Sequence, residues 1–183
     1  MCDLQVQYQK LYKTTEYGQS LKGDYPFVLN CLNRNMYTME PVIDLGCGRG
    51  DFVIWLNSRG VIATGVDWVS LYNGMEIADI TNRIDMSYYN TATCLNVLEH
   101  FDSKGVAGIL DNMSKVSHQI IIVSEHADNH MHKNIKSIPE WLEYISEYLD
   151  IVDYLLLDNF TNRYLIIAKQ KKLGVNNVNT KKS

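Results

Sequence analysis

Apolar positions in this chain follow two rhythms that alternate from about residue 24 to residue 168. The short continuous runs Val42–Leu45, Val61–Val66, Thr91–Asn96 and Gln119–Val123 predict buried strands. Met75–Ala78 predicts a further short strand between the second and third of these. Spacings of three and four predict helices in between. Asp24-Tyr25-Pro26 opens one that runs to about Cys31 or Leu32, with Phe27, Val28, Cys31 and Leu32 on one face. Asp51–Arg59 reads as a second, with an acid in its first turn and Gly60 placed to end it. A third starts near Ser103 and aligns Val106, Ile109, Leu110 and Met113. Ser137-Ile138-Pro139-Glu140 reads as a capping box with proline in the first turn, ahead of Trp141, Leu142, Ile145 and Leu149 at helical spacing. Ile151–Leu157 and Tyr164–Ala168 flank a turn-rich stretch and read as an antiparallel, hairpin-like pair.

Strands alternating with helices predict an α/β fold, a parallel sheet covered by helices. One link strains that reading. Trp68–Gly74 is shorter than the ~10–12 residues of a usual parallel crossover, so the helix there is expected to be a turn or missing.

Composition narrows the class. The 183 residues are 46% hydrophobic, enough for one domain with a full core. No apolar run approaches the ~20 residues of a membrane span, and the first eight residues lack the basic start and apolar core of a secretory signal, so a cytoplasmic location is expected. Cys2, Cys31, Cys47 and Cys94 lack C-x-x-C spacing, which supports neither a disulfide frame nor a zinc knuckle. The net charge is −4, but five lysines and no acid follow Ala168, leaving −9 on residues 1–168. So acidic a body repels polyanions and makes nucleic acid an unlikely partner; residues 169–183 read as a solvated, disordered basic tail.

The chemistry concentrates in residues 42–50, Val-Ile-Asp-Leu-Gly-Cys-Gly-Arg-Gly, where an apolar strand runs into a glycine turn. In the dinucleotide fingerprint G-x-G-x-x-G, backbone N–H groups face a doubly negative pyrophosphate. Here the spacing is Asp44-x-Gly46-x-Gly48-x-Gly50, and Asp51 stands where the last glycine or alanine would fall. Such acids disfavour a pyrophosphate and a nicotinamide oxidoreductase. They suit a cofactor carrying an ammonium and a sulfonium.

The D-x-G-x-G-x-G pattern resembles motif I of the class I S-adenosylmethionine-dependent methyltransferases, and the resemblance extends over roughly residues 40–168. It implies a Rossmann-like, doubly wound, mostly parallel seven-stranded sheet with an antiparallel C-terminal strand pair. It implies a single domain over residues 1–168, with residues 1–40 as a lid and substrate segment, and S-adenosylmethionine as cofactor. Gly46, Cys47, Gly48 and Gly50 would cradle the methionine part, with Asp44 supporting that loop or binding the ammonium. Asp67, 17 residues after Gly50, would accept from both ribose hydroxyls, a role shared with NAD-binding folds. Trp68 would lie on the adenine face or else pack in the core. Asp79-Ile80 matches the adenine contact, acid to the exocyclic amine and backbone N–H to the ring, with Asp85 as the alternative acid.

Cys94-Leu-Asn-Val-Leu-Glu-His-Phe101 resembles the segment after the fourth strand in small-molecule methyltransferases. Asn96 would sit beneath the sulfonium, with Glu99 and His100 at the mouth of the site. Methyl transfer from a sulfonium needs alignment and sometimes a base, and histidine is the natural base near neutral pH. His100 is the first candidate, with Glu99 as its orienter; the alternative is a pair that only braces the loop. The loop after the fifth strand supplies His126, His130 and His132, of which His126 is the further catalytic candidate. Glu99, His100 and a later histidine also echo the Glu/His site of metal-dependent small-RNA 2′-O-methyltransferases. Asn96 replaces one carboxylate of that pattern, so no metal ligands are assigned. The Asp/Asn-Pro-Pro-Tyr/Phe tetrapeptide of DNA base methyltransferases is absent. Tyr12 and Tyr17 resemble the tyrosine-rich lead-in that folds over the cofactor, or are ordinary surface aromatics. The expected activity is methyl transfer to a small-molecule acceptor. A non-catalytic cofactor-binding module is the other reading.

Overall fold

The computed structural model describes residues 10, 12–14, 20–33, 40–69, 75–125, 132–158 and 162–172. Seven strands form one sheet: β1 Val42–Leu45, β2 Ala63–Asp67, β3 Glu76–Ile77, β4 Thr91–Leu95, β5 His118–Ser124, β6 Leu149–Asp158 and β7 Arg163–Gln170. Their order is β3-β2-β1-β4-β5-β7-β6, with the first five parallel and β7 antiparallel to both β5 and β6. Among the described residues, four helices cover it: α1 Tyr25–Asn33, α2 Asp51–Asn57, α3 Ser103–Met113 and α4 Ile138–Ser146. This is the expected α/β, doubly wound sheet with its antiparallel C-terminal pair.

Pleating sorts the apolar residues into two layers. Val42 with Ile120 and Ile122 faces Tyr25, Val28 and Leu32 of α1 and Phe52 and Leu56 of α2. Ile43, Leu45, Ile121 and Val123 face the other way, onto Val106, Ile109 and Met113 of α3 and Trp141 and Ile145 of α4. The continuous runs of β1 and β5 are therefore buried on both faces.

The side on which successive strands are added reverses between the parallel neighbours β1 and β4. From β1 the order runs outward to β2 and β3, while β4 leads to β5 on the other side. Open α/β sheets bind ligands beyond the carboxyl ends of strands at such a switch point. The glycine turn after β1 and the turn after β4 both open there.

Several boundaries differ from expectation. β2 begins at Ala63 rather than Val61, because Val61 still donates to Leu56 C=O at the end of α2. Leu149, expected on a helix face, instead opens β6 after a turn at Glu147–Tyr148. β7 continues through Gln170, pairing Lys169 with His118, so the first residues assigned to the tail belong to the sheet. Among the described residues no helix is long and apolar enough to cross a membrane.

Candidate active site

A cleft of about 470 Å³ opens at the carboxyl ends of β1, β2 and β4, within the usual range of about 300–1,000 Å³ for small-molecule sites. It is lined by Asp44, Gly46, Cys47, Asp67, Trp68, Asp79, Ile80, Asn96 and His100, all named from the sequence. Gly48 and Gly50 belong to the same turn, and Glu99, which precedes His100 in the chain, is buried. His126 and Tyr17 lie outside the described residues.

The glycine turn has the conformation its sequence demands. Gly46, Gly48 and Gly50 all have positive φ, at 80°, 56° and 74°. At Gly46 a side chain is excluded twice, by the left-handed backbone and by Val97, which a Cβ would meet at 2.7 Å. That contact lets the turn after β1 close against the turn after β4. Asp51 opens α2, but its carboxylate is held by Arg49, at 3.0 Å from Nε and 2.5 Å from a terminal nitrogen. The same guanidinium donates to Thr14 C=O at 3.1 Å, tying the N-terminal segment to the turn. Paired in this way, Asp51 discriminates less against an anion than its position alone implied.

Asp44 and Asp67 are the electrostatic centre. Asp44 is 4% exposed and accepts from the hydroxyl of Thr93, its register partner on β4, at 2.6 Å. Burial pushes its carboxyl up to about 7, with the Thr93 bond working in the opposite direction and Asp67 adding repulsion. Asp67 is also 4% exposed. It accepts from Gly48 N–H at 2.9 Å, from Val69 N–H at 2.9 Å and from the Tyr12 hydroxyl at 3.4 Å. Burial again dominates and raises it to about 6. Among the described residues neither acid has a cation within ion-pair distance. Two buried carboxylates without a counter-ion, beside backbone N–H groups, fit a ligand that brings positive charge and hydroxyls. Burial also holds the Cys47 thiol well above its ordinary value, consistent with a small spacer rather than a nucleophile.

Trp68 lies 6.2 Å from Phe101, rings tilted by 44°, and both line the cleft, so Trp68 is not simply a core residue. Asp79 caps its own turn, accepting from the Thr81 N–H and hydroxyl at 2.9 and 2.7 Å and from the Asn82 amide at 3.2 Å. Asp85 is absent from the lining.

After β4 the chain enters a 3₁₀ turn at Leu98–His100. Asn96 takes a left-handed backbone, φ 55°, as asparagine tolerates, and its buried amide nitrogen has no hydrogen-bond partner among the described residues. Glu99 is 1% exposed, and its carbonyl accepts from Lys133 and Asn134 N–H at 2.8 and 3.1 Å. Those bonds bring the segment after β5 onto the turn and place His132 against His100, ring centroids 4.6 Å apart. Glu99, His100 and His132 each offer one ligand atom, all within 4.8 Å of one another, the right chemistry for a divalent metal. Of the histidines in the loop after β5, His132 alone falls among the described residues, and it stands against His100. Thr93, Lys104 and Lys133 also went unnamed in the sequence, where nothing in their spacing marks them.

The family model described as "Methyltransferase domain" matches residues 24–163. A search of curated proteins finds no match. Among solved structures, the chain resembles the 1,6-didemethyltoxoflavin-N1-methyltransferase of Burkholderia thailandensis, crystallised with 1,6-didemethyltoxoflavin and S-adenosylhomocysteine, at 14% identity and TM-score 0.73 over 92% of this chain and 88% of that one. It resembles the N-methyltransferase NodS of Bradyrhizobium japonicum WM9, in complex with S-adenosylhomocysteine, at 13% identity and TM-score 0.71 over 93% and 100%. The methyltransferase domain of bacterial CtHen1 matches at 18% identity and TM-score 0.60 over 81% and 98%. With the family model spanning α1 to the start of β7, the chain belongs to the methyltransferase-domain family and has the class I, Rossmann-like fold of the S-adenosylmethionine-dependent enzymes.

Proposed function

We propose that the chain transfers a methyl group from S-adenosylmethionine to a small-molecule acceptor, with His100 as the base. The observation that carries this reading is the pair of buried acids, Asp44 and Asp67, flanking a glycine turn in one cleft. Asp44 would face the ammonium, Asp67 the ribose hydroxyls, and Trp68, Asp79 and Ile80 the purine. When bound, S-adenosylmethionine supplies an electrophilic methyl on a sulfonium whose departure leaves a neutral thioether. The chain's own tasks are alignment and proton removal. Asn96 and His100 line the cleft on the β4 side, where an acceptor oxygen or nitrogen would approach. His100 takes the acceptor's proton, and buried Glu99 orients the imidazole. The acidic body favours a small acceptor over a nucleic acid.

The convergence of Glu99, His100 and His132 favours a second reading, in which these three hold a divalent metal and His100 is a ligand rather than a base. One assay separates the two. Radiolabelled S-adenosylmethionine is incubated with fractionated metabolites and RNA, with chelator or with added Mn²⁺. Under the first reading, label enters a small molecule whether or not chelator is present. His100→Asn then lowers turnover at least about 100-fold while His132→Asn retains most of it. Abolition by chelator and equal loss in both variants would support the metal. Cofactor binding without labelled product would leave a binding module.

A further inference from the structure

Part of the cleft wall is held in place by residues that do not line it. The segment Asp79–Ile84 connects β3 to the loop before β4, and its residues 79–82 face the cleft. Asn112 of α3 is 1% exposed and lies under this segment. Its amide nitrogen donates to the carbonyls of Ile80 at 3.0 Å and Asn82 at 2.6 Å. Its amide oxygen accepts from Ile84 N–H at 3.1 Å and from the Lys115 ammonium at 3.0 Å. Two N–H donors and two lone pairs are the full capacity of an asparagine side chain, so every position is used, three of the four on this one loop. One helical turn earlier, Gly108 presents bare backbone to the same loop: a Cβ there would stand 2.2 Å from the carbonyl oxygen of Thr81. The i, i+4 spacing puts both residues on one helix face. Asp79 shapes the loop internally through its three accepted bonds. Gly108 and Asn112 set how far that shape stands from the sheet.

We propose that Gly108 and Asn112 are positioning residues for purine recognition, holding loop 79–84 at the distance at which Asp79 and the Ile80 backbone read the adenine edge. This rests on the cofactor reading above. A core asparagine that served only stability would change how much protein folds. It would not change which base the folded protein selects.

The test compares S-adenosylhomocysteine with S-inosylhomocysteine, which carries hypoxanthine in place of adenine, by calorimetry on the full chain. Wild type should prefer the adenine form by about tenfold or more, as polar sites reject analogues that lack a matched group. In Asn112→Leu the Kd for S-adenosylhomocysteine should rise about tenfold and the preference fall to within about twofold of unity. Gly108→Ala should move both in the same direction, and it improves intrinsic helix propensity, so it decides the matter if Asn112→Leu does not fold. Folded variants that keep wild-type affinity and preference would overturn the proposal while leaving the methyltransferase reading intact. So would a wild type that binds both compounds equally. If wild type binds neither, the cofactor reading itself fails and this inference falls with it.

Discussion

At the scale of single residues, Asp44 and Asp67 do two opposed things. They line the cleft in which the proposed cofactor's positive charge would be met, and they cost the ligand-free chain stability because burial penalises their charged forms. From the ordinary 3.8 to the raised values of about 7 and about 6, the folded chain holds protons that the unfolded chain has already released. Stability of the ligand-free chain should therefore fall as pH rises from about 4 to about 8, by at most about 4 kcal/mol for Asp44 alone. Asp44→Asn should flatten that dependence in thermal melts. Affinity for S-adenosylhomocysteine, whose ammonium the ionised acids attract, should rise over the same range. A melting curve that rose with pH would contradict the assignment. Both acids were legible in the sequence, Asp44 two residues before the glycine turn and Asp67 closing an apolar run. What Asp67 touches was not, because Gly48 and Tyr12 reach it only through the fold.

Elements were legible wherever local chemistry and burial agree. α4 is the clearest case. The Glu140 carboxylate accepts from Ser137 N–H at 2.8 Å and from its hydroxyl at 2.7 Å, completing a capping box with proline in the first turn. Glu125, at the end of β5, accepts from Ile138 N–H and adds a contact that no local pattern announces. Ser137→Ala should cost about 1 kcal/mol in denaturant unfolding and leave cofactor affinity unchanged, since α4 does not line the cleft. Leu149 shows where periodicity misleads. It continues the Trp141 and Ile145 face by spacing, yet pairing with Gln170 draws it into β6. β6 is the outer strand. Two register irregularities and the acids Asp150 and Asp153 interrupt an edge that also exposes Val152 and Tyr154.

At the scale of the whole molecule, an ion pair joins the two ends of the domain. Arg163, opening β7, meets Asp24, just before α1, with both side chains largely buried. Removing one member of such a pair withdraws the compensating charge from a largely buried site, so Arg163→Ala should destabilise by about 3 kcal/mol. The double variant with Asp24→Asn should cost less than the two single losses combined, as a double-mutant cycle would measure. Nothing within a few residues of either position signals this pairing. The same division runs through the protein. The sequence by itself determined the alternation of strands and helices, the glycine turn and the acids at strand ends. Those depend on local backbone preference and on which side chains shun water. Only the tertiary structure decided the rest: Thr93 against Asp44, His132 against His100, Asn112 under the cleft loop. Each joins residues far apart in the chain, and the strand order that brings them together is set by packing the whole sheet.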